Sequence, residues 1–132
     1  MKILVKKVGE PCEVKEYDKL GLDDMQALVG GFVECLRIDF GTPDHPVEAD
    51  VWLNEEGKLH DKFVPNIVLF GSDGKVVDVI VGDIFIADNN EDGAVVGLTD
   101  EQLSVIPQVL EILAPQIADG NGGTYPLPFV AV

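Results

Sequence analysis

Apolar residues in this chain fall mostly in short runs bounded by turn residues, which predicts strands, and twice they change to a helical period. Residues 3–8 and 12–17 read as two strands, with Gly9, Glu10 and Pro11 as the turn that makes them an N-terminal hairpin. Leu22, Met25, Leu28 and Val29 follow at helical spacing, with Asp23 and Asp24 in the favourable first turn. Gly30 and Gly31 should end that short helix, because glycine accepts the left-handed C-terminal position cheaply. Residues 32–38 and 49–53 read as strands on either side of a loop at 41–46, and Asn54, Glu55, Glu56 and Gly57 compose a tight turn. Residues 66–70 and 75–81 flank Gly71, Ser72, Asp73 and Gly74, a hairpin signal. Gly82 then interrupts an apolar run that resumes at 84–87, which predicts a bulge.

A second helix is expected from Asp100. Thr99 and Gln102 have the spacing of a capping box, and Leu98 and Leu103 that of a hydrophobic staple. Leu103, Ile106, Leu110, Leu113 and Ile117 form one apolar stripe, widened by Val105, Val109 and Ile112, so the helix is expected to reach Ile117, kinked at Pro107 and buried over much of its circumference. Residues 119–124 read as a Gly-rich linker and 125–132 as an almost wholly apolar tail. Such a tail should pack on its own domain, the alternative being exchange between subunits of a homo-oligomer. The expected fold class is α+β: an N-terminal hairpin, a short helix, an antiparallel or mixed sheet with the helices on one face, and a C-terminal helix packed on the sheet. Residues 1–118 form a single domain on this reading, and 119–132 the linker and tail.

Charge narrows the function classes. The 132 residues include 24 acidic and 9 basic side chains, a net charge of −15, with Arg37 as the single arginine. Binding nucleic acid or an anionic membrane needs lysine and arginine to displace counterions, so neither is an expected partner. A basic protein surface is; the competing reading of the charge is solubility alone. With 46% hydrophobic residues, a chain of this length can bury one core without staples. No basic segment precedes an apolar stretch at the start and no apolar run approaches the roughly 20 residues of a membrane span, so a cytoplasmic setting is expected. Cys12 and Cys35 are then expected to be reduced and structural.

The strongest chemical pattern is the opening of a calcium loop at Asp88, Asn90, Asp92 and Gly93, oxygen ligands on alternate residues followed by a glycine. The twelfth position is Thr99 rather than a bidentate glutamate, and a strand precedes the loop where the calcium motif has a helix; the competing reading is an ordinary acidic turn. Asp88, Asn90 and Asp92 are therefore the candidate metal ligands and calcium the candidate cation, with no other cofactor expected. His45 and His60 are isolated and read as surface histidines, since no zinc-like spacing joins them to the cysteines. The chain contains no nucleophile elbow, P-loop or dinucleotide fingerprint, and no catalytic residue is assigned.

Several segments in order carry a family resemblance: residues 29–34, 54–59, Pro65 with Asn66, 79–82 running into 84–86, and 98–102 opening the second helix. In this order the chain resembles domain-of-unknown-function family 3846, over roughly residues 1–115. The resemblance implies small proteins found largely in bacteria, phages and mobile elements, with no assigned activity. It implies structural roles for Gly30 and Gly31 as a forced turn, for Asn54 and Gly57 in shaping a turn, and for Asn66 in capping backbone groups. The function expected from these readings is a small acidic accessory protein that binds rather than catalyses. The alternatives are an oligomeric small-ligand or nucleotide-binding protein, and a metal-dependent hydrolase using Asp88 and Asp92.

Overall fold

In the computed structural model the described residues are 1–59, 64–111, 113–118 and 124–132, and for 113–118 and 124–126 the backbone path alone. The chain is of mixed α and β type, mostly strands, with two helices among the described residues. Its elements are β1 (Lys2–Lys6), β2 (Glu13–Glu16), α1 (Leu22–Val29), β3 (Val33–Asp39), β4 (Glu48–Asn54), β5 (Pro65–Phe70), β6 (Val76–Val81), β7 (Ile84–Asn89), β8 (Val95–Val96), α2 (Asp100–Val109), β9 (Leu113–Ala118) and β10 (Thr124–Ala131), with a single 3-10 turn at Gly57–Leu59.

Two sheets carry these strands. One has the order β2-β1-β7-β4-β3, with β8 paired to the end of β7; the other has the order β6-β5-β10-β9. Every pairing is antiparallel except β10 on β5, where Phe129, Val130 and Ala131 run parallel to Val68, Leu69 and Phe70. Period-two alternation splits the first sheet into two apolar faces. Leu4, Ile38, Ala49, Val51 and Ile86 point toward the second sheet's Ile67, Leu69, Ile80 and Val130, and Ile106 of α2 and Leu110 just after it join that core. Ile3, Val5, Phe85 and Ala87 point the other way, onto Met25 and Val29 of α1. The helices thus lie on opposite faces of the first sheet, not together on one. β7 makes this possible: Ile84, Phe85, Ile86 and Ala87 are all fully buried, so the strand has no solvent face to leave uncovered.

Three sequence expectations are corrected here. Gly82 is not a bulge in a continuing strand. At φ 78° it takes the left-handed conformation, and the chain turns there from β6 in one sheet to β7 in the other. The second helix does not continue to Ile117. It ends at Val109, two residues after Pro107, whose ring removes an N–H from the last turn, and Leu113–Ala118 is a strand. Pro115 reinforces the switch, since the residue before a proline disfavours helix, and β9 is an edge strand, where proline is tolerated. This shorter helix buries only Gln102 and Ile106, far from the wide apolar girdle expected of it.

The apolar C-terminal segment is a strand between β5 and β9 rather than a tail. Its register slips between Tyr125 and Leu127, around Pro126, a position where a missing N–H breaks no regular ladder. Leu127 and Val130 are 4% and 2% exposed. Phe129 stacks on Phe70 with ring centroids 4.2 Å apart. Positions 119–123 of the expected linker, His60 and Ile112 lie outside the described residues. Leu127→Ala should cost about 2–5 kcal/mol, the usual range for truncating a buried leucine. Urea denaturation measures it; a cost below about 0.5 kcal/mol would mean that the segment does not pack where it is drawn.

Candidate functional site

Polar side chains concentrate where β3, β4, β7 and the start of α2 meet. Arg37 and Asp50 are register partners across β3 and β4, and Asp50 is paired in turn with Ala87 of β7. This geometry brings Arg37 Nη1 to 2.9 Å from Asp50 Oδ1 and 3.0 Å from Asp88 Oδ1, with Arg37 Nε 3.5 Å from Glu48. Asn89 Nδ2 donates to Asp50 Oδ2 at 2.6 Å. The Asp50 side chain is only 5% exposed, so the carboxylate needs both donors to offset its lost hydration.

Gln102 ties α2 into the same cluster. Thr99 Oγ1 accepts from Gln102 N and Gln102 Oε1 accepts from Thr99 N, which is the capping box read from the sequence. The remaining amide nitrogen donates to Asp88 Oδ2 and to the carbonyl of Glu48, both at 2.8 Å. One side chain therefore caps its helix and clamps that helix to two strands. Beside it, His45 Nε2 lies 2.9 Å from Glu101 at the exposed surface. A shallow depression of about 310 Å³ lies over Arg37, Glu48, Glu101 and Gln102.

The three candidate metal ligands are placed as follows. Asp88 gives one oxygen to Arg37 and the other to Gln102. Asn90 Oδ1 accepts from the backbone N–H groups of Asp92 and Ala94, closing a turn that ends on Gly93 at φ 79°. Asp92 is exposed in that turn. Among the described residues no group of three or more His, Cys, Asp or Glu side chains is arranged to hold a metal ion. Cys12 and Cys35 are free thiols, and burial, first among the causes, pushes each up to about 11.

A second polar group lies inside the protein. Lys6 is 3% exposed, and its Nζ donates to Asn66 Oδ1 at 2.8 Å and to the Lys7 carbonyl at 2.9 Å. Asn66 itself is fully buried and donates to the carbonyls of Lys6 and Gly82. That is the backbone-capping role the resemblance implied for it, and Asn54, whose Oδ1 accepts from Glu56 N, shapes its turn likewise. Lys6 itself gave no sequence signal: it ends an apolar run beside Lys7, with nothing local to mark it as buried. Asp50 was equally unmarked, because which carboxylate meets the one arginine depends on the register of three strands; Gln102 was legible as a cap but not as the clamp onto β4 and β7.

The sequence profile of a family described as a domain of unknown function (DUF3846) matches residues 1–113. No curated protein and no solved structure matches the chain.

Burial acts to raise the carboxyl of Asp88, but the hydrogen bonds from Gln102, the Asn89 backbone and Arg37 outweigh it and hold it below the usual range. A carboxylate depressed by folding adds stability above its unfolded value, about 3.9, and loses it as pH falls through the lower folded value. Asp88→Asn should therefore be less stable than the parent at pH 7 yet lose less stability between about pH 5 and pH 2. Denaturant titration across that range decides it; parallel pH slopes for the two proteins would show that Asp88 is not held low.

Proposed function

The chain belongs to the family described as a domain of unknown function (DUF3846), and from that premise we propose a non-enzymatic accessory protein, of phage or mobile-element type, that presents an acidic corner to a basic partner surface. The observation that carries the reading is where the cations are. From Leu20 to Gly57 the only lysine or arginine is Arg37, and after Lys75 there is none. Of the sheet order β2-β1-β7-β4-β3, the β1–β2 side has Lys2, Lys7, Lys15 and Lys19 on or next to its strands. The opposite side and α2 have Arg37 alone, and it already faces Glu48, Asp50 and Asp88.

Around that neutralised arginine stand Asp44, Asp100 and Glu101, all exposed. Charges packed on one side of a small protein produce a directional field rather than a uniform solubilising shell. Such a field steers a positively charged partner and penalises a negatively charged one. The Arg37 network adds rigidity: it joins three strands, and Gln102 locks the helix start to them, so the exposed carboxylates stand on fixed backbone. No side-chain pair in this corner has the arrangement of a nucleophile with its base, and the cluster's hydrogen bonds are spent internally.

The test compares two triple variants with the same charge change. Asp44→Asn, Asp100→Asn and Glu101→Gln neutralise the corner; Glu13→Gln, Glu16→Gln and Asp18→Asn neutralise the β2 side. A fluorescent lysine-rich peptide is the probe, titrated at low and moderate salt. Exposed pairs contribute about 0.2–1 kcal/mol each, so the corner variant should bind roughly tenfold more weakly and the β2 variant less than twofold. Equal weakening by both would mean that the peptide reads net charge and that the corner is not a binding face.

A further inference from the structure

We propose that the cleft over Lys6 is a binding site for a small neutral carbonyl compound, an aldehyde or ketone with an apolar body, held as an imine on Lys6 Nζ. The cleft has a volume of about 160 Å³. Pro11, Leu110 and Pro128 give it apolar walls, Lys6 lines it, and Glu10 and Glu111 supply carboxylates. A space near 150 Å³ with apolar walls accepts a benzene-sized group.

The hydrogen bonding of Lys6 is what assigns the chemistry. A buried lysine ordinarily keeps its charge by pairing with a carboxylate. Among the described residues no carboxylate oxygen lies within 4 Å of Lys6 Nζ. Its two partners, Asn66 Oδ1 and the Lys7 carbonyl, are uncharged acceptors. A neutral amine has two hydrogens, which these acceptors consume, and one lone pair, which they leave free. Burial lowers the basicity of Lys6, opposed by the more distant Cys12, Asp83 and Glu10. Cys12 stays a neutral thiol near pH 7, since burial pushes it up to about 11. Asp83 accepts from the Val8 backbone N–H.

The carboxylates fix the ligand class further. Glu10 and Glu111 repel an anion entering the cleft, which disfavours phosphates and 2-oxo acids and leaves uncharged carbonyl compounds. In the reaction the Nζ lone pair attacks the carbonyl carbon, forming a C–N bond while the oxygen takes a proton. The C–O bond of that carbinolamine then breaks. One amine hydrogen and a proton from solvent leave with the oxygen as water, the protonated imine nitrogen keeps its other hydrogen for Asn66 Oδ1, and the step needs no oxidant or reductant. Lysine imines of this kind form where burial disfavours the charged amine.

The experiment is reductive trapping on the intact protein with benzaldehyde and cyanoborohydride at pH 7.5, read by peptide mass mapping. An ordinary lysine, with a pKa about 10.4, is only about 0.1% neutral there. Lys6 should be benzylated at least tenfold faster than exposed Lys19 or Lys75. That preference should vanish in denaturing urea, and glyoxylate, an anionic aldehyde, should label Lys6 poorly. Labelling of Lys6 no faster than that of the exposed lysines in the native protein overturns the imine site. Glyoxylate labelling Lys6 as readily as benzaldehyde overturns the restriction to neutral ligands.

Discussion

Asn66 is the constraint on which the arrangement of the two sheets depends. It sits near the start of β5, in the four-stranded sheet, with no exposed surface. Its amide nitrogen reaches the Lys6 carbonyl of β1, in the other sheet, and the carbonyl of Gly82, where the chain crosses between them. Its oxygen takes Lys6 Nζ. One side chain thus serves two backbone carbonyls and, together with the Lys7 carbonyl, the Lys6 amine. Each would cost about 1–3 kcal/mol left unpaired. An apolar residue of the same size would fill the space and satisfy none of them. The left-handed turn at Gly82, Asp83 accepting from the Val8 backbone, and the burial of Lys6 all follow from closing this corner with polar groups rather than apolar ones.

The opposite end of the first sheet is closed by charge instead. There the problem is an excess of carboxylates at the junction of β3, β4 and β7, and Arg37 resolves it by serving three of them. Planar guanidinium donors suit this better than a lysine's point charge, because the acceptors lie on different strands. With the arginine spent on these three, the exposed carboxylates at the start of α2 have no lysine or arginine partner among the described residues. The stability of this corner and its acidic exterior have one cause: a single cation shared among several anions, with the remaining cations confined mainly to the β1–β2 side and residues 58–75.

Local signals in the sequence were reliable where the physics is local. The capping box of Thr99 and Gln102, the left-handed stop at Gly30 and the hairpin about Gly71–Gly74 depend on residues a few positions apart, and the structure has each of them. What was not legible depends on what a segment meets. Leu113 and Ile117 continue a helical stripe on paper, but Pro107 and Pro115 stop the helix, and the segment finds β10 instead. The run around Gly82 looks like one strand because both halves are apolar; only the partners of β6 and β7 separate them into two sheets. The Arg37 cluster needed the register of three strands, and the Lys6 site needed contacts sixty positions apart. The calcium-like pattern shows the same gap from the other side. Its spacing is real, but in the fold Asp88 turns to Arg37 and Gln102 while Asn90 turns to its own backbone.

The C-terminal strand links these observations. β10 pairs with β5 next to the strand residues that hold Asn66, and Pro128 on it forms one wall of the Lys6 cleft. Leu110, just past the end of α2, forms another. The early end of α2 is therefore a requirement of the cleft and not only a consequence of Pro107. A helix continuing to residue 117 would take the place of β9 and leave β10 without its antiparallel neighbour, and neither wall would stand where it does. The same proline that breaks the apolar stripe in the sequence turns the chain toward the sheet that encloses Lys6.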